Sequence, residues 1–264
     1  MASAMQNSYD KDWNSYANTI AERKNSPDWA VLREARKSHW DAFFEIKKTD
    51  HVLDAGCGHG EYTIWALSAG ARVWAFDYSD EMANWTSTMI DHEGLKAEAV
   101  THDSVTAIPY PDENFDVVFC LAVLDHLNAD DRSKAMQELY RVLKPGGMLY
   151  IDVPNRLALH WRGVFLLMRL SGLYPKGEIH FFTPWEVRSL LKRNGFQPVR
   201  SLGMTICPPF SGIYTTDLRR ITILPQFLIR PLDYLYLLVE RNLRRVPFLK
   251  PLCWHYFVAS SKKE

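Results

Sequence analysis

The chain has 264 residues, with 31 Lys plus Arg balanced by 31 Asp plus Glu and 47% hydrophobic residues. A net charge of zero provides no overall field to attract nucleic acid or another acidic polymer, so a polynucleotide partner is not expected. Four cysteines, at 57, 120, 207 and 253, show no CxxC spacing; a reducing cytoplasm is expected, and no metal is required.

The opening stretch, "MASAMQNSYDKDWNSYANTI", lacks the basic start and apolar centre of a signal peptide, and no window reaches the roughly 18 uncharged apolar residues of a membrane span. A soluble or peripheral protein is expected. Residues 1–47 are polar and tyrosine-bearing without strong apolar periodicity, which suits a helical N-terminal lid. From about 50 to 155, short β-rich runs alternate with longer helical stretches, the pattern of βαβ units around a parallel sheet. "HVLDAG", "ARVWAFD", "AEAVTHD", "FDVVFCLAV" and "GGMLYIDVP" are five predicted strands. Between them "EYTIWALSAG" and "SDEMANWTSTMIDHEG" read as helices closed by glycine. "NADDRSKAMQELYRVLKPGG" is a third helix, with Asn128 as N-cap and Pro145-Gly146-Gly147 as its end. Residues 156–176 are apolar and aromatic with Arg156, Arg162 and Arg169 interspersed. "TPWEVRSLLKRNGF" then predicts a helix capped by Thr183, with Pro184 first and Glu186 third. "FQPVRSLGMTIC" and "WHYFVASS" are the sixth and seventh strands. The apolar stretch between them, 208–252, is too long for a hairpin loop and reads as a helical insert.

The turn after the first strand carries Asp54, Gly56, Cys57, Gly58 and Gly60, a GxGxG with an acid two positions earlier. A strand running through such a turn into a helix offers backbone N–H groups and close approach to a cofactor. A dinucleotide fingerprint would be GxGxxG; here position 61 is Glu, whose charge at a helix N-terminus suits a pyrophosphate poorly and a cationic or zwitterionic ligand better. Asp77 closes the second strand, where a carboxylate accepts bonds from both ribose hydroxyls. Asp103, followed by Ser104, closes the third and offers an acceptor and a backbone donor suited to adenine. Three acids at neighbouring strand ends describe one extended adenosine-bearing ligand.

With "VLDAGCGHGEYT", "AFDYSDEM", "HDSVTAIPYPDENFDVVFCLAVLDHL" and "RVLKPGGMLYI", the chain resembles the class I S-adenosylmethionine-dependent methyltransferases of the small-molecule branch. The likeness is continuous from about 48 to 155, and "HFFTPWEVRSLLKRNGFQPV" resembles the family's next helix and strand. It implies an α/β, Rossmann-like, mostly parallel seven-stranded sheet in the order 3-2-1-4-5-7-6, with strand seven antiparallel and helices on both faces. S-adenosylmethionine is the implied cofactor, held by the glycine turn, Asp77 and Asp103-Ser104. Tyr78 and Met82 would line its adenine, and Leu121 and Ala122 would approach its methionine portion. "SYDKDWNSYA" looks like the family's N-terminal lid, which would set Trp13 and Tyr16 over the cofactor.

Methyl transfer from a sulfonium is an in-line displacement that needs alignment and a dry site rather than a covalent residue. A hydroxyl acceptor also needs a base. His126, beside Asp125 after the fourth strand, and His180, near Glu178 before the capped helix, are the candidates. Each also admits a purely structural role. His59, inside the glycine turn, is expected to contact the cofactor through its backbone. The expected domains are a lid at 1–47, a cofactor-binding core at 48–207 and 253–264, and a substrate cap at 208–252. That cap mixes Arg219, Arg220, Arg230, Arg241, Arg244, Arg245 and Lys250 with leucine, isoleucine and aromatics. Such a composition fits either a cap with arginines facing water or a peripheral membrane surface. The expected acceptor is therefore a hydrophobic or lipid-like small molecule, methylated on oxygen or, second, on nitrogen. A regulatory protein that binds the cofactor without turnover and a nicotinamide-dependent oxidoreductase are the alternative readings.

Overall fold

The computed structural model describes residues 37, 39–170, 179–204, 235, 238, 242 and 252–263. In chain order the elements are β1 (His51–Ala55), α1 (Glu61–Ser68), β2 (Arg72–Asp77), α2 (Asp80–His92), β3 (Ala99–His102), β4 (Phe115–Leu121), α3 (Ala129–Val142), β5 (Leu143–Pro154), α4 (Leu159–Leu170), α5 (Pro184–Arg193), β6 (Phe196–Met204) and β7 (His255–Lys262). The seven strands form one sheet ordered β3-β2-β1-β4-β5-β7-β6, as the motifs imply. Strands β3 to β5 along this order pair in parallel; β7 runs antiparallel to both β5 and β6. The C-terminal ends of the parallel strands therefore share one edge, which is where such sheets bind ligands.

Both faces of the sheet are covered. On one face Leu53, Val118, Leu149 and Ile151 pack with Met136 and Leu139 of α3 and Val187 and Leu191 of α5. On the other, Val52, Phe119, Tyr150 and Phe257 meet Trp65 of α1 and an aromatic group from residues 40–44. Phe44 sits with its ring centroid 4.9 Å from Phe119 and 5.0 Å from Tyr150. The Tyr150 hydroxyl accepts the Glu45 N–H at 2.9 Å, and Arg200 donates to the Phe43 carbonyl at 2.6 Å. The core thus takes in residues 39–45, upstream of the 48 read from the sequence. Residues 1–36, and with them Trp13 and Tyr16, lie outside the described residues, as does nearly all of 208–252. Among the described residues no helix is long and apolar enough to cross a membrane. Cys57, Cys120 and Cys253 are buried free thiols.

Local sequence rules account for the helix ends. Ser79 and Asn128 accept the N–H groups of Met82 and Asp131, and Thr183 and Glu186 form a reciprocal capping box at α5. One boundary departs from expectation. Pro145-Gly146-Gly147 does not end α3 but lies within β5, which starts at Leu143 opposite Phe115 and regains register at Met148 opposite Val117. The long bulge is pinned from outside: Lys144 Nζ reaches Asp116 at 2.8 Å and Lys262 Nζ reaches the Leu143 carbonyl at 2.7 Å.

Asp54 is a charged residue inside the core, 1% exposed on β1, and accepts the Thr63 hydroxyl of α1 at 2.5 Å. Burial raises its carboxyl to about 7, the Thr63 bond opposing and Asp77 adding to the rise. A folded-state pKa above the unfolded one means stability fully present below the unfolded value and lost as pH rises through about 7. Asp54→Asn keeps an acceptor for Thr63 and removes the charge. The variant should gain in Tm relative to the parent between pH 5 and 8, on the order of 5 °C, with the gain levelling above pH 7; a difference constant with pH would refute the assignment.

Candidate active site at the C-terminal edge of the sheet

The turn from β1 to α1 is built around Gly56 and Gly58. Gly56 has φ +90°, and a Cβ there would stand 2.3 Å from Val123 Cγ2, so only glycine lets this turn close against the one after β4. Gly58 has φ +52°, but a Cβ there would meet nothing within 4 Å. Its backbone faces open space, a place a ligand can approach. The donors expected for that ligand are engaged elsewhere. Gly56 and Cys57 N–H both donate to the Phe76 carbonyl at 2.9 Å, Gly60 N–H donates to the Cys57 carbonyl at 2.8 Å, and Gly58 N–H donates to Asp77 Oδ2 at 2.8 Å. Three of these N–H groups hold the turn to β2 and the fourth closes the turn on itself, so they do not form an anion cradle, in keeping with the charge of Glu61. Cys57 is 5% exposed, its thiol pushed up by burial and by Asp77 and Asp54, so it is an inert packing group.

Asp77, at the end of β2, accepts Gly58 N–H on one oxygen and Ser79 N–H, 2.9 Å, on the other. A carboxylate has about four acceptor positions, so two remain for a ligand's paired hydroxyls. Burial raises its pKa, opposed by the two N–H donors and by His102 and His59. Tyr78 follows it with 37% of its surface exposed, its ring edge-on to His102 at 6.3 Å. Met82 is buried in the first turn of α2. Asp103 N–H donates to the Asp77 carbonyl at 3.1 Å, which places the two acids side by side. The Ser104 hydroxyl is turned to Thr106 Oγ1 at 2.8 Å, leaving recognition there to Asp103 and the main chain. These residues fit an adenosine: an acceptor pair for the ribose, an exposed ring and a buried thioether beside it, and a second acid one strand further on.

At the end of β4, Leu121 is buried and Ala122 takes φ +55°, a left-handed conformation that costs a non-glycine residue energy and turns the chain sharply out of the sheet. Arg132 of α3 clamps this turn by donating to the Leu124 and Leu127 carbonyls at 3.0 and 2.7 Å. His126 lies in it, Nε2 3.4 Å from Asp125 Oδ2. His180 is brought to the same turn, its N–H donating to the Asp125 carbonyl at 2.8 Å. Its segment runs along the end of β5 through a parallel bridge between Asn155 and Phe182. The His180 pKa is lowered by burial and by Arg132 and Arg156, with Glu186 opposing, so the ring is held neutral. Glu178, its neighbour in sequence, lies outside the described residues. His59 stands 3.4 Å from Glu61, which is itself buried at the start of α1.

One pair was missed from sequence. Asp152, near the end of β5, is 2% exposed and accepts from or faces His255 Nδ1 of β7 at 2.9 Å. The signal available was an acid inside an apolar strand, "YIDVP".

Residues 53–151 match the family model described as a methyltransferase domain. The chain is 29% identical over 177 residues to the mitochondrial ubiquinone biosynthesis O-methyltransferase of Bos taurus, covering 62% of this chain and 45% of that protein. It is 27% identical over 162 residues to the tRNA N(3)-cytidine methyltransferase METTL2 of Gallus gallus, covering 57% and 44%. The chain spans about half the length of these curated relatives. Among solved structures, the magnesium protoporphyrin IX methyltransferase of Synechocystis PCC 6803 with bound SAH superposes with a TM-score of 0.55 at 17% identity, over 88% of this chain and 83% of that one. With the glycine turn, Asp77 closing β2, Asp103 just after β3 and the 3-2-1-4-5-7-6 sheet, these matches identify residues 53–151 as a methyltransferase domain with the class I fold.

Proposed function

We propose that the chain transfers the methyl group of S-adenosylmethionine to an oxygen of a hydrophobic small molecule. The observation that carries the reading is Asp77: a half-buried carboxylate at the end of β2, both oxygens aimed by backbone N–H groups, beside a glycine turn open above Gly58. S-adenosylmethionine then crosses the turn at 56–60, with its ribose on Asp77, its adenine beside Tyr78, Met82 and Asp103, and its methionine portion towards Leu121 and Ala122. When bound, it supplies an activated methyl group and a positive charge that is lost in the displacement. The chain aligns donor and acceptor and keeps water away.

Oxygen is favoured over nitrogen by His180, which is neutral at physiological pH and so able to take a hydroxyl proton. His126 lies in the same turn and is the second candidate base. The O-methyltransferase relative agrees with this choice; the tRNA methyltransferase relative supports nitrogen and a polynucleotide, against which the balanced charge of the chain argues.

Asp77→Ala should weaken S-adenosylhomocysteine binding at least about 100-fold in titration calorimetry, since two charge-assisted hydrogen bonds are lost. Unchanged affinity would sink the ribose assignment. S-adenosylhomocysteine should raise the Tm of the wild type while NAD leaves it unchanged; the reverse would favour an oxidoreductase. His180→Ala should lower kcat by about 10² to 10⁴ with cofactor affinity preserved. Because its folded pKa lies below 6.5, the acid limb of kcat/KM should fall below pH 6.5 and vanish in the variant. Near wild-type turnover in both His126→Ala and His180→Ala would instead point to an amine arriving neutral, and cofactor binding without any product to a regulatory protein.

A further inference from the structure

Among the described residues, two carboxylate oxygens near the ends of β4 and β5 have no hydrogen-bond donor. Asp152 and Asp125 are 2% and 5% exposed. Each directs Oδ2 at a histidine: Asp152 at His255 Nδ1, 2.9 Å, and Asp125 at His126 Nε2, 3.4 Å. Oδ1 of each is buried and receives no hydrogen bond among the described residues. A buried acceptor left in this state is costly, and more so when charged, so two of them at neighbouring strand ends call for a partner. The sites are adjacent. Asp152 stands opposite Leu121, the last residue of β4, and its carbonyl accepts the Ala122 N–H at 3.1 Å, while Asp152 raises the pKa of Asp125. Both lie next to the turn that carries His126 and receives His180, on the side of β4 away from the adenosine-binding strands.

The chemistry of the cluster narrows the partner. Among the described residues no group of three or more His, Cys, Asp or Glu is arranged to hold a metal ion. Each carboxylate already has one oxygen facing an imidazole, so what is left over is a hydrogen-bond acceptor on Oδ1. A hydroxyl supplies a hydrogen to such an acceptor without the desolvation cost that burying an ammonium carries.

We propose that Asp152 Oδ1 and Asp125 Oδ1 form the polar end of the methyl acceptor's site and accept hydrogen bonds from a hydroxyl carried on an apolar body, with His255 fixing the orientation of Asp152. The proposal rests on the methyltransferase reading above and deepens it by naming the acceptor's functional group. Asp152 and Asp125 are binding residues in this scheme; the proton is still taken by the histidine base.

The test is a ligand-observed NMR titration of the full chain saturated with S-adenosylhomocysteine, using 1-naphthol, 1-methoxynaphthalene and 1-naphthylmethylamine. The wild type should bind naphthol at least about tenfold tighter than its methyl ether, the size of effect expected when a hydrogen bond to a charged group is removed. Asp152→Asn should shrink that preference below about threefold while binding S-adenosylhomocysteine as the wild type does. Equal binding of naphthol and ether, or binding of neither, overturns the proposal; preference for the amine replaces the hydroxyl with an ammonium; an unchanged preference in Asp152→Asn removes Asp152 from the site. If Asp152→Asn fails to fold, the wild-type comparison of naphthol with its ether still decides. Failure of S-adenosylhomocysteine itself to bind would count against the methyltransferase reading, and the same probes without it would then test the subsite alone.

Discussion

The contact on which the rest of the site depends is the hydrogen bond from Gly58 N–H to Asp77 Oδ2. It joins the turn after β1 to the end of β2, and it works in concert with the Gly56 and Cys57 N–H groups that both reach the Phe76 carbonyl. Three donors of one turn thus converge on the last two residues of the neighbouring strand. Such linked bonds reinforce one another in a buried setting, and they fix the carboxylate before any ligand arrives. The same turn can close this tightly only because Gly56 has no side chain to strike Val123, so the β4 turn inherits its position from β1. Through Arg132, which holds the Leu124 and Leu127 carbonyls, that position extends to α3 and to the segment bearing His180.

Spending the turn's donors internally has an electrostatic consequence. What remains near the open side of Gly58 is acidic: Asp54 is buried, Asp77 is half-buried, and Asp77 pushes the Asp54 carboxyl further towards its neutral form. A cation placed beside them would relieve that strain, whereas a pyrophosphate would increase it. The glutamate at position 61, where a dinucleotide fold would need glycine, belongs to the same pattern. The turn resembles a phosphate-binding loop in outline and is opposite to one in charge preference.

Features encoded over a few residues were legible in the sequence. The end of β2 at Asp77, the caps at Asn128 and Thr183, and the acid–histidine pair after β4 all follow from spacing within one turn or strand. Pro145-Gly146-Gly147 misled for a related reason. Locally it signals a stop, yet Lys262, from the far end of the chain, and Asp116, from β4, hold the stretch in the sheet, and tertiary pairing overrode the local preference. The partners of the turn's donors were not legible, because the sequence shows which N–H groups exist but not which carbonyl they meet. Asp152 and His255, 103 positions apart, were out of reach. Only the antiparallel register of β5 with β7, which sets Pro154 opposite His255 and Asp152 opposite Phe257, makes them diagonal neighbours on one face.

That register also explains why β7 must run against the others. A parallel strand at this place would bring its C-terminal end to the ligand edge; the antiparallel one brings its first residue, His255, to the level of Asp152 and the end of β5. The edge is thereby divided by origin. Strands β1 to β3 contribute backbone turns and acids aimed by N–H groups, rigid features suited to a ligand of fixed shape. Strands β4, β5 and β7 contribute side chains of histidine and aspartate whose oxygens are only half satisfied by the protein. On the first half the acceptor oxygens of Asp77 are already oriented by backbone N–H groups, so the protein fixes their directions before any contact is made. On the second half the open oxygens of Asp125 and Asp152 are oriented only through their neighbouring histidines, so the two halves of one sheet edge are pre-organised by different means.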